Sequence, residues 1–167
     1  MEIRPIEQND VDQFLSLWDD VFNEGQFLER ASPPRERVEQ VVERVVEEGL
    51  PNFVLVNKTQ VVGAFEVFPA TFFDIERPNA PAYGILGMQI QKPYRGQGYG
   101  RRLMEIGLLS SYDYGIEVVE LDVLQSNVTA ISLYEKFGFR KIEEGRQVKL
   151  PTGQITKFQR MLLNIAA

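Results

Sequence analysis

The sequence predicts one domain of the mixed α/β class over residues 1–167, with the element order βααβββαβαββ. Two observations lead to this fold class. With 167 residues, the chain lies within the ~100–200 residues of a typical single domain and is long enough to bury a core. Segments with apolar residues at helical spacing also alternate with runs of β-branched and aromatic residues, which is typical of strands placed between helices.

Two amphipathic helices are predicted near the start of the chain. Apolar residues recur at helical spacing over residues 10–22, and Asp10 is suited to cap that helix. For the second helix we predict a cap at Ser32, a first turn that contains the two following prolines, and a stop at Gly49. The apolar face of this second helix comprises Val38, Val41, Val42, Val45 and Val46.

Three predicted strands follow. Residues 53–56 and 61–68 are rich in β-branched and aromatic side chains and are joined by a short polar segment, so they are predicted to form a hairpin. A loop that contains Pro69, Pro78 and Pro81 then leads to a third strand at residues 83–90.

The second half of the chain begins with a glycine-rich segment. A helix is predicted at residues 98–114, ended by the glycine that follows it, and a strand at residues 118–124. Residues 127–137 are predicted to form the last helix, again followed by a glycine. A closing hairpin pairs residues 139–150 with residues 154–163 through a Pro-Thr-Gly turn.

The chain contains neither Cys nor His, which excludes several classes of catalytic site. Thiolate nucleophiles, disulfides, Ser-His-Asp relays and nearly all catalytic zinc sites need one of these residues. We therefore expect no metal, and we expect carboxylates, Tyr, Lys or backbone amides to carry any catalysis. The first ten residues lack an apolar signal core and no stretch approaches the ~18 apolar residues of a membrane span, which predicts a cytoplasmic protein without membrane contact.

The charge is unevenly distributed along this acidic chain. Residues 1–48 hold 13 acidic and 5 basic residues, whereas residues 91–102 hold four cations and no acid. A short cationic segment in a protein of net charge −6 indicates a site for one compact anion. Nucleic-acid binding would need a broader basic face and is not expected.

The cationic segment is also rich in glycine and lies between a predicted strand and a predicted helix. Glycines at positions 96, 98 and 100 allow successive backbone N–H groups to point into one concavity, and the first turn of the helix adds unpaired N–H groups. This arrangement favours a phosphate or pyrophosphate. The dinucleotide fingerprint fails because its third glycine position is Arg101, and the Gly-Lys-Ser/Thr of a P-loop is absent.

Two motifs resemble the GNAT superfamily of N-acetyltransferases. The first is Arg95-Gly96-Gln97-Gly98-Tyr99-Gly100, which is similar to the family's Arg/Gln-x-x-Gly-x-Gly/Ala signature. The second starts at Asn127 and continues as Ala130-x-x-Leu133-Tyr134-Glu135-Lys136-Phe137-Gly138-Phe139, similar to the family's N-x-x-A-x-x-L-Y-x-x-x-G-F helix. The resemblance covers essentially the whole chain. It implies a GNAT-like α/β (α+β) domain with a mixed, mostly antiparallel sheet of about seven strands and about four flanking helices.

The resemblance implies acetyl-CoA as co-substrate and a set of residues that hold it. In this family the fourth and fifth strands splay apart, the backbone of the fourth strand pairs with the pantetheine arm, and the glycine segment receives the pyrophosphate. By position, the implied cofactor-binding residues are Met88, Gln89, Ile90, Arg95, Gly96, Gln97, Gly98, Tyr99, Gly100, Arg101, Asn127 and Tyr134. Tyr134 is also the implied catalytic acid, since a phenol can protonate the departing thiolate. Its alternative interpretation is core packing.

The catalytic base stays open at this level. Asp122 matches the position of a catalytic glutamate in family members that acetylate ribosomal-protein termini and is our first candidate. Glu120 lies on the same strand face, and Glu66 is flanked by apolar residues in the first hairpin. The predicted fourth strand carries no glutamate, although many family members place one there.

We expect direct acetyl transfer from acetyl-CoA to a primary amine of a small molecule, such as an amino acid. The residues 68–73, Phe-Pro-Ala-Thr-Phe-Phe, would suit a closed, partly apolar pocket or simply the core. The region around Leu28–Pro34 and the closing hairpin resemble the bacterial branch that acetylates small amines. Alternatives are acetylation of protein N-termini or lysines, and a non-catalytic acyl-CoA-binding module. A homodimer is left open.

Overall fold

The computed structural model describes residues 1–78 and 82–167, and these residues form a seven-stranded sheet and four α-helices. The strands are β1 (Glu2–Pro5), β2 (Asn52–Asn57), β3 (Gln60–Pro69), β4 (Tyr83–Ile90), β5 (Val118–Leu124), β6 (Arg140–Lys149) and β7 (Ile155–Asn164). The helices are α1 (Val11–Asn23), α2 (Arg35–Glu48), α3 (Tyr99–Tyr114) and α4 (Val128–Lys136). The predicted element order and fold class are confirmed. Pro69, predicted in the loop, is instead the last residue of β3, where it pairs with Gly84, and the predicted loop position of Pro81 lies outside the described residues.

The sheet has the spatial order β1-β2-β3-β4-β5-β7-β6, and helices cover both of its faces. Alternate residues along each strand point to opposite faces. On β3, Ala64 and Phe68 join the hydrophobic cluster that contains α1 and α2, whereas Phe65 and Val67 join the cluster that contains α3 and α4. We call these two sides of the sheet the α1/α2 face and the α3/α4 face.

The pairing between β4 and β5 is the one parallel contact in the described sheet, and it is short. It comprises three pairs and ends where Ile85 lies opposite Glu120. Beyond this point β4 continues to Ile90 paired with β3, and β5 continues to Leu124 paired with β7. The two central strands therefore separate. We call the opening between residues 86–90 and residues 121–124 the β4–β5 gap.

The start of α2 differs from the prediction. The helix begins at Arg35 with Pro34 in the capping position, and Ser32 does not cap it; its N–H donates instead to Asp19 Oδ1 at 3.3 Å. A residue before proline is sterically kept out of the helical region, so two successive prolines delay the helix. Gly49 ends α2 with φ 65°, as predicted, whereas Val46 is 51% exposed and lies off the buried stripe.

A close contact fixes α3 against the sheet. A methyl group added at Gly107 would lie 2.2 Å from Cε1 of Phe65, and Phe65 itself is fully buried. The ring therefore packs directly on the backbone of α3, which only a glycine allows.

Among the described residues, no helix is long and apolar enough to cross a membrane.

Replacing Gly107 with Ala should destabilise the protein by about 1–3 kcal/mol, because the new methyl group would overlap the Phe65 ring. Ordinarily a Gly→Ala change inside a helix stabilises it by up to ~1 kcal/mol, so the sign of the effect is diagnostic. Urea unfolding measures it. The control is Leu109→Ala on the same helix, where the side chain is 64% exposed and a change within about 0.5 kcal/mol is expected. A Gly107→Ala protein as stable as the wild type would contradict the close contact.

Candidate functional site

The β4–β5 gap exposes backbone groups of β4. Gln91 N–H donates to Val62 O of β3 at 2.9 Å, and backbone groups along a strand alternate in direction. The N–H groups of Met88 and Ile90 therefore point away from β3 and into the gap. A strand in the middle of a sheet normally pairs its backbone N–H and C=O groups with a strand on each side. The unpaired edge of β4 could therefore bind an extended ligand that carries its own amide groups.

The end of β4 leads into what we call the glycine loop, residues 95–101. Gly96 and Gly98 have φ of 71° and 85°, in the left-handed region that favours glycine. Within the described part of the chain, the N–H groups of residues 96–101 donate to no acceptor. No atom lies within 4 Å of a Cβ built on either glycine, so open space borders the loop. Unpaired N–H groups at the start of α3 next to open space fit an anion such as a phosphate.

Gly100 has a different role from the other two glycines. A Cβ at this position would meet Leu133 Cδ2 at 3.2 Å and Ile90 Cδ1 at 3.5 Å. The absence of a side chain thus lets the first turn of α3 approach both α4 and β4. This contact holds the glycine loop close to the end of the gap.

Arg95 is bound within the protein rather than free for an anion. Its guanidinium forms a bidentate ion pair with Glu24 at 2.6 and 2.8 Å, Nε donates to Ile90 O at 2.7 Å, and Phe27 stacks against it at 4.8 Å. Such a bidentate pair is geometrically specific. Arg95 therefore ties the glycine loop to the end of α1.

The other side chains of the loop are more exposed. Arg101 forms an exposed ion pair with Glu105 at 2.8 Å, and Arg102 lies 5.9 Å from the Tyr99 ring. Gln97 Nε2 donates to a backbone carbonyl of the preceding turn at 2.7 Å. An exposed i,i+4 ion pair is worth only about 0.3–0.5 kcal/mol, so Arg101 can exchange its partner for an anion at small cost.

Asn127 caps helix α4. Its Oδ1 accepts a hydrogen bond from Ala130 N at 3.3 Å, which satisfies one of the unpaired N–H groups of the first turn. The side-chain amide Nδ2 of Asn127 has no partner among the described residues. One end of this side chain therefore fixes the helix and the other is available to a ligand.

Tyr134 lies on the α3/α4 face together with other residues that the sequence predicted for the site. The same hydrophobic cluster contains Tyr134, Met88, Ile90 and Tyr99, and Tyr134 is 6% exposed. Its ring packs 5.7 Å from that of Phe139, but its hydroxyl makes no hydrogen bond to any described residue. Burial raises the pKa of Tyr134 to about 12, so the hydroxyl stays protonated. The ring is therefore part of the core, and the hydroxyl is left without a partner among the described residues.

The carboxylates on β5 are bound by arginines. Asp122 lies on the α1/α2 face with its side chain 51% exposed, and Arg160 Nε on β7 donates to it at 3.2 Å. Glu120 is buried and forms a bidentate ion pair with Arg77 at 2.8–3.1 Å. An anion held by a guanidinium is a weaker base than a free one. Both carboxylates therefore already have an ion-pair partner within the protein.

Glu66 differs from both of these carboxylates. It is half-buried on β3 opposite Gly87, and no described residue forms an ion pair or hydrogen bond with it. Burial raises its pKa to about 7. A Cβ built on Gly87 would lie 3.6 Å from Glu66 Oε2, so the carboxyl group lies beside the β4 backbone at the gap. A carboxyl with a pKa near neutrality is suited to general-base work.

Three side chains that shape this site carry no clear sequence signal. Glu24, Arg77 and Arg160 pair with Arg95, Glu120 and Asp122 across separations of 71, 43 and 38 residues. Of these three pairings, only that of Arg160 could be inferred from the sequence. Arg160 lies on a predicted strand, and it is opposite Asp122 once the strand order is known. Within residues 68–73, Phe68 and Ala70 are buried and Phe72 packs beside them, whereas Phe73 is exposed.

The residues around the gap and the glycine loop fit acetyl-CoA. The unpaired N–H groups of the loop fit a pyrophosphate, and the N–H groups of Met88 and Ile90 fit an amide-bearing arm. In the described ranges, no group of three or more acidic side chains is placed to hold a metal ion.

Comparisons with known proteins agree with this geometry. The profile of the "Acetyltransferase (GNAT) family" matches residues 13–139. An N-alpha-acetyltransferase from Saccharolobus solfataricus is 33% identical over 108 residues, which cover 61% of this chain and 64% of that relative. The chain thus spans less than two thirds of this curated relative's length.

Two solved structures share the fold across nearly the whole chain. A ribosomal-protein-alanine N-acetyltransferase from Brucella melitensis has a TM-score of 0.83 at 20% identity, covering 98% of this chain and 99% of its own. A putative acetyltransferase from Salmonella typhimurium with its cofactor acetyl-CoA has a TM-score of 0.84 at 16% identity, covering 99% and 94%.

Replacing Gly98 with Val should weaken CoA binding by about tenfold or more, because a side chain would project into the open space beside the loop and displace N–H groups that donate to an anion. Titration calorimetry with CoA measures this. Gly153→Val is the matched control: Gly153 has φ 88° and open space around its Cβ, but lies in the turn between β6 and β7. Both variants carry the same kind of backbone strain. Equal CoA affinity in the two variants would contradict the assignment of the loop.

Proposed function

Because this chain belongs to the acetyltransferase (GNAT) family, we propose that it transfers the acetyl group of acetyl-CoA to a primary amine. The observation that carries the proposal is the β4–β5 gap, which opens next to a loop of unpaired N–H groups. One feature accommodates an extended amide-bearing arm and the other accommodates its pyrophosphate. Together they match one ligand better than either would alone.

The glycine loop is proposed to bind the pyrophosphate. Its N–H groups, the N-terminus of α3 and the exposed Arg101 supply the donors and the positive charge. Arg95 acts as a positioning residue, since its guanidinium is already bonded to Glu24 and Ile90 O. The N–H of Met88 or Ile90 is proposed to polarise the thioester carbonyl, which stabilises the oxyanion without a side chain.

Tyr134 is proposed to assist the leaving group. Its hydroxyl stays protonated because burial raises the pKa to about 12, and it has no partner among the described residues. A protonated phenol donates a hydrogen bond to the sulfur and delivers the proton as the C–S bond breaks, since a thiolate is the product. Asn127 Nδ2, free of the capping bond at the start of the same helix, is proposed to bind the arm.

The transfer is proposed to be direct. The chain contains no Cys, so an acetyl-cysteine intermediate cannot form. The amine must therefore attack the thioester in a complex that holds both substrates. This requires a path to the gap from the α1/α2 face, because the α3/α4 face is filled by Tyr134, Met88 and Ile90.

Two acceptor classes have support. A small-molecule amine is supported by the partly exposed Phe73 beside Phe68 and by the ion pair of Arg146 with Glu29, which joins β6 to the segment between α1 and α2. A protein N-terminus is supported by the archaeal relative named an N-alpha-acetyltransferase.

The cytoplasmic location and the homodimer remain predictions.

The Tyr134→Phe variant should lose about a hundredfold or more in kcat, because general acid assistance is worth about 10²–10⁴-fold. Its affinity for CoA and its unfolding midpoint should stay close to wild type, since the hydroxyl has no partner among the described residues. Stopped-flow measurement of thiol release follows the rate. Tyr112→Phe on α3, where the side chain is 54% exposed, is the control and should be fully active. An unchanged kcat in Tyr134→Phe would remove Tyr134 from the reaction.

Thiol release from acetyl-CoA in the presence of amino acids, amino-acid amides, polyamines and peptides tests the activity itself. At least one primary amine should support turnover with formation of its acetyl amide, detected by mass spectrometry. Tight CoA binding without turnover on any of these amines would instead indicate a non-catalytic acyl-CoA-binding module.

A further inference from the structure

Two side chains on the α1/α2 face lack hydrogen-bond partners. Gln89 Oε1 is a buried side-chain acceptor without a donor, the one such atom in the described part of the chain. Glu66 is a half-buried carboxyl that no described residue pairs with. Buried polar groups are almost always hydrogen-bonded, so the unpaired Gln89 Oε1 requires an explanation, whereas the Glu66 carboxyl is unpaired but only half-buried.

The strand register brings these two groups to the same side of the sheet. Glu66 is opposite Gly87 and Ala64 is opposite Gln89, so Glu66 and Gln89 are diagonal neighbours on adjacent strands. Paired residues in an antiparallel sheet point to the same face, and Ala64 belongs to the cluster of α1 and α2. Both side chains therefore project from that face next to Gly87, Glu66 from the neighbouring strand and Gln89 from two residues further along β4.

Gly87 opens the route from these groups to the gap. With no side chain there, Glu66 Oε2 lies 3.6 Å from where a Cβ would stand. The next residue along β4 is Met88, whose N–H points into the gap where we propose the thioester carbonyl to bind. A donor held by Glu66 and Gln89 would thus lie beside the β4 backbone on the side opposite Tyr134.

The neighbouring cations on this face are already bonded. Arg77 is bidentate with Glu120, and Arg160 bridges Asp122 and Glu143 at 3.2 and 2.6 Å. A substrate carboxylate would have to displace the buried Glu120 from Arg77 or two carboxylates from Arg160, and it would also face the carboxyl group of Glu66. The chemistry of this face accepts hydrogen-bond donors and disfavours anions.

We infer that Glu66 and Gln89 form the subsite for the acceptor's amino group, that Glu66 is the base, and that the acceptor carries no free carboxylate next to its amine. A peptide N-terminus and an amino-acid amide share this chemistry. The inference rests on the proposed function and departs from three sequence expectations: Asp122 as the base, Gln89 as a cofactor-binding residue, and a free amino acid as the acceptor.

The proton balance follows from these positions. The ammonium gives one proton to Glu66, and its nitrogen forms the N–C bond to the thioester carbonyl carbon. The C–S bond breaks, the sulfur takes the proton of Tyr134, and the phenol regains a proton from the nitrogen as the amide forms. Glu66 returns its proton to water. The products are the acetyl amide, CoA as the thiol and one released proton.

The charged groups around Glu66 support a near-neutral base. β3 carries no other charged residue, and Arg44 on α2 stacks on Phe72. On α1, Asp20 and Glu24 are bonded to Gln91 and Arg95. Across the gap, Glu120 and Asp122 are paired with Arg77 and Arg160. Burial alone raises the pKa of Glu66 to about 7, within about one unit of an α-amino group of ~7.7–8.0.

The first test compares L-alaninamide, L-alanine and an amidated peptide that begins with Ala, using the full chain and acetyl-CoA. Both amidated acceptors should exceed L-alanine in kcat/KM by about tenfold or more, because only L-alanine brings a carboxylate near Glu66. The ratio of kcat/KM for the peptide to kcat/KM for L-alaninamide distinguishes a peptide N-terminus from a small amino-acid amide as the preferred acceptor. Turnover of L-alanine equal to that of L-alaninamide would overturn the acceptor class.

The second test examines Glu66→Gln with alaninamide. Its kcat should fall about a hundredfold or more, and the decline of wild-type kcat as the pH drops through about 7 should disappear. Glu43→Gln changes an exposed charge on α2 and should keep both the wild-type kcat and its pH dependence. If Glu66→Gln kept the wild-type kcat and its pH dependence, Glu66 could not be the base. The same conclusion would follow if the pH dependence of kcat disappeared in Asp122→Asn instead.

Stability separates this role from a structural one. Glu66→Gln removes no described bond and should not unfold the protein. Because burial raises the folded pKa above its ordinary 4.5, ionisation destabilises the wild type as the pH rises from about 4.5 to about 7. The variant should therefore gain stability relative to wild type over this range. A variant less stable than wild type at pH 8 would show that Glu66 has a structural partner.

Gln89→Met tests the other half of the subsite. It replaces the unpaired amide by an apolar group of similar length, so KM for alaninamide should rise about fivefold or more while the affinity for CoA is kept. Unchanged KM would exclude Gln89. An active wild type that is insensitive to changes at Glu66 and Gln89 contradicts this inference alone, whereas a wild type inactive on every amine contradicts the proposed function as well.

Discussion

The separation of β4 from β5 after three residue pairs is the constraint on which the rest of the site depends. A strand in the middle of a sheet would normally satisfy its backbone groups on both sides. Here the outer half of β4 pairs only with β3, so the N–H groups of Met88 and Ile90 are left to a ligand. The glycine loop is fixed at the end of the gap by Gly100 packing on Leu133 and by Arg95 bonded to Glu24.

The gap also divides the chemistry between the two faces of the sheet. The protonated phenol of Tyr134 lies on the α3/α4 face, and the unpaired Glu66 and Gln89 lie on the α1/α2 face. In the proposed reaction, an acid and a base on opposite sides of the thioester would act on the leaving group and on the nucleophile without neutralising each other. Their pKa values are both raised by burial, to about 12 and about 7, so one stays protonated while the other can ionise.

Much of the fold could be predicted from the sequence because its determinants are local. The bounds of β4 and β5 match the prediction, since short runs of apolar and β-branched residues ended by turns specify a strand. The glycine loop was also predictable, because left-handed φ angles at Gly96 and Gly98 require glycine. The start of α2 was not, as the restriction that proline places on its predecessor outweighed the capping tendency of Ser32.

By itself, the sequence determined the element order, the glycine loop and the exclusion of Cys and His chemistry, because these depend on residue type and on near neighbours. Only the tertiary structure decided which carboxylate is free. Asp122 and Glu66 are equivalent as residue types, but strand pairing places Arg160 beside Asp122 and leaves the side of Glu66 facing Gly87 open. Basicity depends on burial and on the nearest charge, and both are set by contacts between residues far apart in the chain.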